Sequence, residues 1–290
     1  MKSKSFINAT ILKIIACIAM TFDHVGKFLV VFHPSETATL INNIFSIIGR
    51  IALPIFIFLI FEGYKHTRSI KNYFARLGIA DAIVGLALIL ISSFSTHTTL
   101  IFQLGNIFID LLIALLAIYL FNKEKIIYKI LAFLPIIYMV LGLLIKSNII
   151  PTNILTKEIL SGFLPQYPII TTFIVYFYLI TKKIYDTVVF KNKDMSLYEK
   201  EDLALYELQS SKIIFTVTLV LLSFLMWGLT YANLPIFYDP VRGTYYFLAG
   251  LFIMFYNGKI MNLPKFTKYA FYLYYPLHIG IIFLLMLIIK

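Results

Sequence analysis

Lys13 and His24 stand eleven residues apart in the apolar stretch ILKIIACIAMTFDHVGKFLVVF, residues 11–32. At about 1.5 Å of rise and about 100° per residue, they share one helix face, roughly 20° out of line and roughly 16 Å apart. Ionisable groups at membrane depth are costly and by default functional. His24 is too short to reach an interface, and its proton chemistry suits general acid–base work near neutral pH. Asp23 does not face its neighbour His24, because adjacent helical residues point apart, and it is expected to pair across helices. Lys27, nearer the helix end, is expected to snorkel its ammonium to the interface. Lys13 has two readings, snorkelling or ligand contact.

The next apolar stretch runs back as IFSIIGRIALPIFIFLIFEGYKHTR. It brings Arg50 in at about the depth of His24, with Asn106 of a later stretch at the same level and Asp110 one turn deeper. At the opposite end Glu62, His66, Arg68, Arg76 and Asp81 are expected to gather near Lys13. Two polar layers, joined along one helix face, follow from this arithmetic. Arg50 reads either as a structural partner of Asp23 or as a donor to a developing oxyanion, a role open to Asn106 as well. His278, in KYAFYLYYPLHIGII, lies mid-membrane and reads equally as a functional group or an interior hydrogen-bonding one. His33 and His97 fall in outer loops and are expected to be solvated.

The elements that must hold these groups are apolar helices. The chain is 60% hydrophobic and only 13% charged, with a mean hydropathy of +0.89, whereas soluble domains carry about a quarter charged residues. The expected fold is all-α, a polytopic transmembrane helical bundle forming one domain over 1–290. Nine spans are drawn at about 11–32, 44–64, 77–96, 100–121, 130–149, 165–181, 213–233, 244–257 and 269–289. A net charge of +11 does not here point to nucleic acid, because the basic residues sort by loop. Lys65, Arg68, Lys71, Arg76, Lys123, Lys125, Lys129, Lys259, Lys265 and Lys268 fall on one side, as do six lysines between the sixth and seventh spans. The opposite loops hold little beyond Lys157 and Arg242. The positive-inside rule then puts the amino terminus in the cytoplasm and the carboxyl terminus outside.

The first span is too long and lacks the small-residue site of a cleavable signal. One cysteine, Cys17, allows neither an internal disulfide nor a cysteine metal cluster, and no metal is expected. No internal repeat is evident. Residues 182–212 read as a cytoplasmic connector helix, and the loops 150–164 and NLPIFYDPVRG as a lid over an outward opening. Pro54, Pro135 and Pro276 lie inside spans, where the backbone groups they free need other partners.

Three stretches, LKIIACIAMTFDHVG, IIGRIALPIFIFLIFEGYKHTRSIKNYFARL and FYLYYPLHIGII, resemble the TraX family, whose founding member is known as a pilin acetylase. The likeness is strongest over 11–77 and returns at 268–284. The Lys13–His24 spacing and the YLYYPLH stretch are similar, more distantly, to motifs of the type-three membrane acyltransferases. The resemblance implies acyl transfer, typically of acetyl, from cytoplasmic acyl-coenzyme A to an acceptor at the outer face of the cell (cytoplasmic) membrane. It makes His24 the functional histidine and puts Arg50, Glu62, His66 and His278 on matching motif positions. ADAIVG around Asp81 and NIFIDLLIALL around Asp110 depart from the family's forms, so the acceptor stays open: an exported peptide or pilin amine, a glycan, or a lipid-linked polymer.

Acyl-CoA spanning the two layers would give them a purpose. Its phosphates would meet Lys13, Arg68, His66 and Arg76, cations suited to phosphate, and its thioester would reach His24. The rival class is a proton-coupled transporter, which also uses buried Asp, His and Glu but often shows internal repeats.

Overall fold

The computed structural model describes residues 6–94, 105–146, 149–151, 162–191, 200–231, 244–259, 264 and 266–288, the side chains of 90–94, 190–191, 200–201 and 266–268 excepted. Among these residues the fold is all-helical. Six helical segments are long and apolar enough to cross a membrane: Ala9–Phe32, Glu36–His66, Ile70–Ile89, Ile126–Ile145, Asp202–Tyr231 and Tyr269–Ile288, with a shorter apolar helix at Ile107–Phe121. The chain is a multi-pass membrane protein.

Helix α1 (Ala9–Phe32) begins where the Asn8 side chain accepts from the backbone N–H groups of Thr10 and Ile11, at 2.9 and 3.0 Å. Its neighbour α2 (Glu36–Gly49) starts eight residues earlier than the 44 expected, turning most of the supposed outer loop 33–43 into helix. Ser35 caps it by accepting from Ala38 N at 3.0 Å, and Glu36 supplies an acid in the first turn, both favourable at a helix start. The two helices pack closely. A Cβ on Gly49 would stand 2.4 Å from that of Asp23, so only glycine lets the α2 backbone approach the acid.

Helix α2 stops at Gly49 and α3 (Ala52–His66) resumes after a break at Arg50–Ile51. Pro54 accounts for the break. It lacks the N–H that would bond the Arg50 carbonyl, and its ring crowds that carbonyl. The chain tightens instead, with Ile51 N bonding Ile48 O at 3.2 Å. Arg50 is thereby lifted out of regular helix at the level of α1 where Asp23 lies. Helix α3 is buried on nearly every face from Ala52 to Glu62, as expected of a helix that is apolar all round. It is the hub of the bundle.

The remaining helices are α4 (Ile70–Phe94), α5 (Ile107–Phe121), α6 (Ile126–Leu131), α7 (Leu134–Lys146), α8 (Pro168–Lys191), α9 (Lys200–Tyr231), α10 (Phe247–Met254) and α11 (Phe266–Ile288). Against α3 pack α1, α5, α8 and α10; α1 also packs on α11, α4 on α5 and α11, and α8 on α9. The span drawn at 130–149 is two helices that meet just before Pro135. The one drawn at 244–257 holds a helix of only eight residues, about 12 Å long and too short to cross a bilayer alone. The connector 182–212 consists of the ends of α8 and α9, with 192–199 outside the described residues. Of the supposed lids, most of 150–164 and the whole of 233–243 also lie outside them.

Helices α1 and α11 run parallel, matched rung by rung. The Lys13 ammonium lies over the Phe271 ring at 5.3 Å. Tyr274 reaches Thr21 at 2.5 Å and Cys17 O at 3.2 Å. His24 meets His278, and Phe28 and Phe32 meet Phe283. The carbonyl ends of α10 are served by Lys212, 1% exposed, whose ammonium donates to Met254 O and Tyr256 O at 3.0 Å each, a favourable charge at a helix C-terminus.

Candidate functional site

His24 and His278, 254 residues apart in sequence, approach to 2.7 Å between Nδ1 and Nε2. Their rings are within 10° of parallel, with centroids 4.9 Å apart; with so short a nitrogen–nitrogen contact they meet edge to edge rather than face to face. The other nitrogen of His278, Nδ1, lies 2.8 Å from Tyr274 O. A carbonyl only accepts, so Nδ1 of His278 carries the proton and its Nε2 is the acceptor. His24 must then donate from Nδ1, which leaves the lone pair of its neutral ring on Nε2. One backbone carbonyl, through two imidazoles, thus selects the tautomer of His24. Tyr275 braces both rings edge-on, at 5.9 Å from His24 and 5.6 Å from His278, while its hydroxyl donates to Gly105 O at 2.6 Å.

One turn of α1 beside this pair holds an ionic cluster. Asp23 is bonded through Oδ1 to Arg50 at 3.2 Å and through Oδ2 to Lys27 at 2.6 Å. The pairing with Arg50 across helices is as expected. The snorkelling expected of Lys27 is corrected: its side chain is only 10% exposed, because Asp23 lies four residues back on the same face and offers a carboxylate nearer than the interface. Arg50 is held further by its Nε donating to Ser46 O at 3.2 Å, and its guanidinium lies 5.7 Å from the Tyr167 ring centroid. Among the described residues the cluster holds one acid and two bases.

His24, Asp23 and Arg50 line a cavity together with Tyr167, Tyr246 and Tyr275, its empty space about 400 Å³ with the open side included. His278 stands behind His24 and is not in the lining.

Asn106 is placed differently. Fully buried, it caps α5 by accepting from Phe108 N at 3.1 Å, and its amide donates to Asp81 O, Asp81 Oδ1 and Gly162 O at 3.0, 2.7 and 3.0 Å. These contacts occupy its amide, and Ile107 rather than Asn106 lines the cavity. Asp81 is therefore not in the Lys13 layer. It sits five residues beyond Arg76 on α4, roughly 7.5 Å further along the helix. Asp110, also fully buried, accepts from Gln166 N at 2.6 Å, Tyr167 N at 3.1 Å and Thr171 Oγ1 at 3.0 Å. It caps the start of α8 from another helix, and so fixes Tyr167 over Arg50. The Asp110→Asn change puts a donor where these N–H groups need an acceptor. It is expected to cost about 1–3 kcal/mol, read as a lowered thermal midpoint in detergent; an unchanged midpoint would contradict the cap.

At the other end, the residues expected near Lys13 divide into two groups. Arg76 lies 5.7 Å from the Tyr73 ring and bonds Tyr272, the residue after the Phe271 that Lys13 covers. Lys13 and Arg76 thus converge on one turn of α11. Glu62 and His66 turn instead toward α9: Glu62 is 3.5 Å from Lys65 and 3.9 Å from His66, and Lys65 reaches Glu207 at 3.1 Å and Ser211 at 3.2 Å. Arg68 is exposed in the turn between α3 and α4. His33, expected to be solvated, has a buried Nε2 without a partner among the described residues; His97 lies outside them. No group of histidines, cysteines or acids suited to a metal occurs among the described residues.

The site missed by sequence reasoning is aromatic. Tyr274 and Tyr275 lie within the YLYYPLH stretch, but Tyr167 and Tyr246 follow no period that would have marked them.

Fold and site together define a polytopic helical membrane protein with a buried histidine pair beside a charged cluster. Residues 8–150 match the TraX family, described as TraX protein, a region holding His24, Arg50, Glu62 and His66. His278 lies beyond it. No curated protein and no solved structure matches the chain.

Proposed function

We propose that this protein is an integral membrane acyltransferase that moves an acyl group, acetyl in the first instance, from cytoplasmic acyl-CoA to an amine or hydroxyl of an exported or surface acceptor. The acceptor class comprises a pilin or other peptide amino terminus, a glycan or a lipid-linked polymer. The observation that carries the reading is the tautomer-selecting chain from Tyr274 O through His278 to His24, beside a cavity lined by Asp23 and Arg50. A base with its lone pair held at a defined nitrogen is what removal of a proton from an attacking amine or hydroxyl requires. The family resemblance to pilin acetylation supports the same chemistry.

In this reading the acceptor's N–H or O–H gives its proton to His24 Nε2 as its heteroatom attacks the thioester carbon. The hydrogen bond from His24 Nδ1 to His278 becomes charge-assisted as the imidazolium forms, which strengthens it. The tetrahedral intermediate collapses with loss of the CoA thiolate, and His24 returns the proton to the sulfur. Asp23 keeps Arg50 and Lys27 compensated and in place. The acceptor would enter from outside and the CoA nucleotide would lie at the Lys13 end, where Lys13 and Arg76 converge and Arg68 is exposed. The amino terminus is then cytoplasmic, in the cell membrane, with the carboxyl terminus outside and an odd number of crossings. The parallel course of α1 and α11 fits an odd number.

Lys13→Ala is expected to raise the KM for acetyl-CoA by about 10- to 100-fold, the worth of one charge-assisted contact, with little change in kcat. Inverted membrane vesicles supplied with radiolabelled acetyl-CoA read both constants from label passed to the endogenous acceptor. An unchanged KM would remove Lys13 from the donor site, and absence of labelling with the intact protein would overturn the proposed function.

A further inference from the structure

Tyr246 sits just before α10, 1% exposed, and lines the cavity with His24 and Arg50. Its hydroxyl meets the Arg50 guanidinium. A guanidinium has donors and no acceptor, so the phenol oxygen accepts there and its own proton must point elsewhere. Around it, Asp23 is already engaged by Lys27 and Arg50, the Tyr275 hydroxyl by Gly105 O, and the Asn106 amide by Asp81 and Gly162. Among the described residues no hydrogen bond takes the Tyr246 proton, and Tyr246, like Tyr167, borders the empty space.

Resting on the acyl-transfer reading of this cavity, we infer that Tyr246 is a further catalytic residue, donating its O–H, beside Arg50, to the oxyanion of the tetrahedral intermediate. As the acceptor heteroatom bonds the thioester carbon, the carbonyl π electrons move to oxygen, and His24 takes the acceptor's proton. Tyr246 and Arg50 then hold that oxygen until the C–S bond breaks and the carbonyl re-forms. Tyr246 keeps its own proton throughout. A neutral phenol paired with a fixed cation is suited to charge that appears only in the transition state, and their burial strengthens both donors.

Tyr246→Phe removes the donor and keeps the ring. In inverted vesicles with radiolabelled acetyl-CoA, the variant is expected to lose about 100-fold in kcat, with the KM for acetyl-CoA unchanged and the thermal midpoint in detergent near that of the parent. A Tyr246→Phe protein with full kcat, or one altered in KM alone, overturns the assignment. Should that variant unfold, Arg50→Lys, which keeps the charge and loses the planar fork, is expected to give the same kcat loss, and full kcat there overturns it equally. His24→Ala is measured alongside. If the parent labels its acceptor, His24→Ala does not, and Tyr246→Phe does so at full rate, the inference fails while the acyl-transfer reading stands. If the parent does not label, or His24→Ala labels as well as the parent, that reading falls and the inference with it.

Discussion

Asp23→Ala is expected to destabilise the protein by about 3–5 kcal/mol, since it strands buried cations. Arg50 and Lys27 both bond this carboxylate, at 3.2 and 2.6 Å, with each side chain only 10% exposed. Adding Arg50→Met to Asp23→Ala removes one of the two stranded charges, and the double variant should recover part of the loss. The measurement is a double-mutant cycle on thermal or denaturant unfolding in detergent. An Asp23→Ala protein as stable as the parent would mean that water or lipid headgroups already serve the two cations. The cluster would then not be the device that holds Arg50 at the cavity.

His24→Ala is expected to lower transfer by about 10²- to 10⁴-fold, the usual worth of a positioned general base. The fold should survive, because the ring is backed by Tyr275 and His278 and belongs to no ion pair of the cluster. His278→Ala should cost less than His24→Ala. It leaves the base in place but removes the acceptor for His24 Nδ1–H, freeing the other tautomer. The double variant should then be no worse than His24→Ala alone, because His278 acts through His24. If the two losses multiplied instead, His278 would have a role of its own. The readout is label passed from radiolabelled acetyl-CoA, with protein amount and thermal midpoint matched.

Much of this arrangement was legible from spacing alone. Lys13 and His24 do share a face, and each meets α11 at its own level, against Phe271 and His278. Asp23 does pair with Arg50 across helices. These came through because a long apolar helix has a fixed rise and turn, so a charge within it has a computable depth. Groups governed by local alternatives were harder to read. Lys27 looks like a snorkelling lysine until a carboxylate four residues back is weighed against the interface. Residues 36–43 look like a loop because Glu36, Asn42 and Asn43 dilute the hydropathy, although Ser35 and Glu36 form a sound helix start. Asn106 was at the right depth with the wrong direction, since its side chain bends back to cap its own helix. Tyr167 and Tyr246 were invisible for a different reason. Each comes from the first residues before a helix, brought to the cavity by long-range packing and, for Tyr167, by the Asp110 cap.

Pro54 shows how a single residue reads at two levels. In sequence it marks a span that must satisfy a freed carbonyl. In the fold it ends one helix and starts another, and the residue at the break is Arg50. Pro276, two residues before His278, lies within α11, which continues through it, and Tyr274 O orients the histidine.

Under the proposed function, acetyl passes at the His24 site to an acceptor outside the cell membrane. Mass spectrometry of exported peptides, pili and surface polymers tests it most directly, comparing cells that lack the gene with cells complemented by the parent or by His24→Ala. At least one acceptor is expected to be lighter by an acetyl group (about 42 Da) in the deletion, restored by the parent and not by His24→Ala. The same acetylation pattern in all three would contradict it.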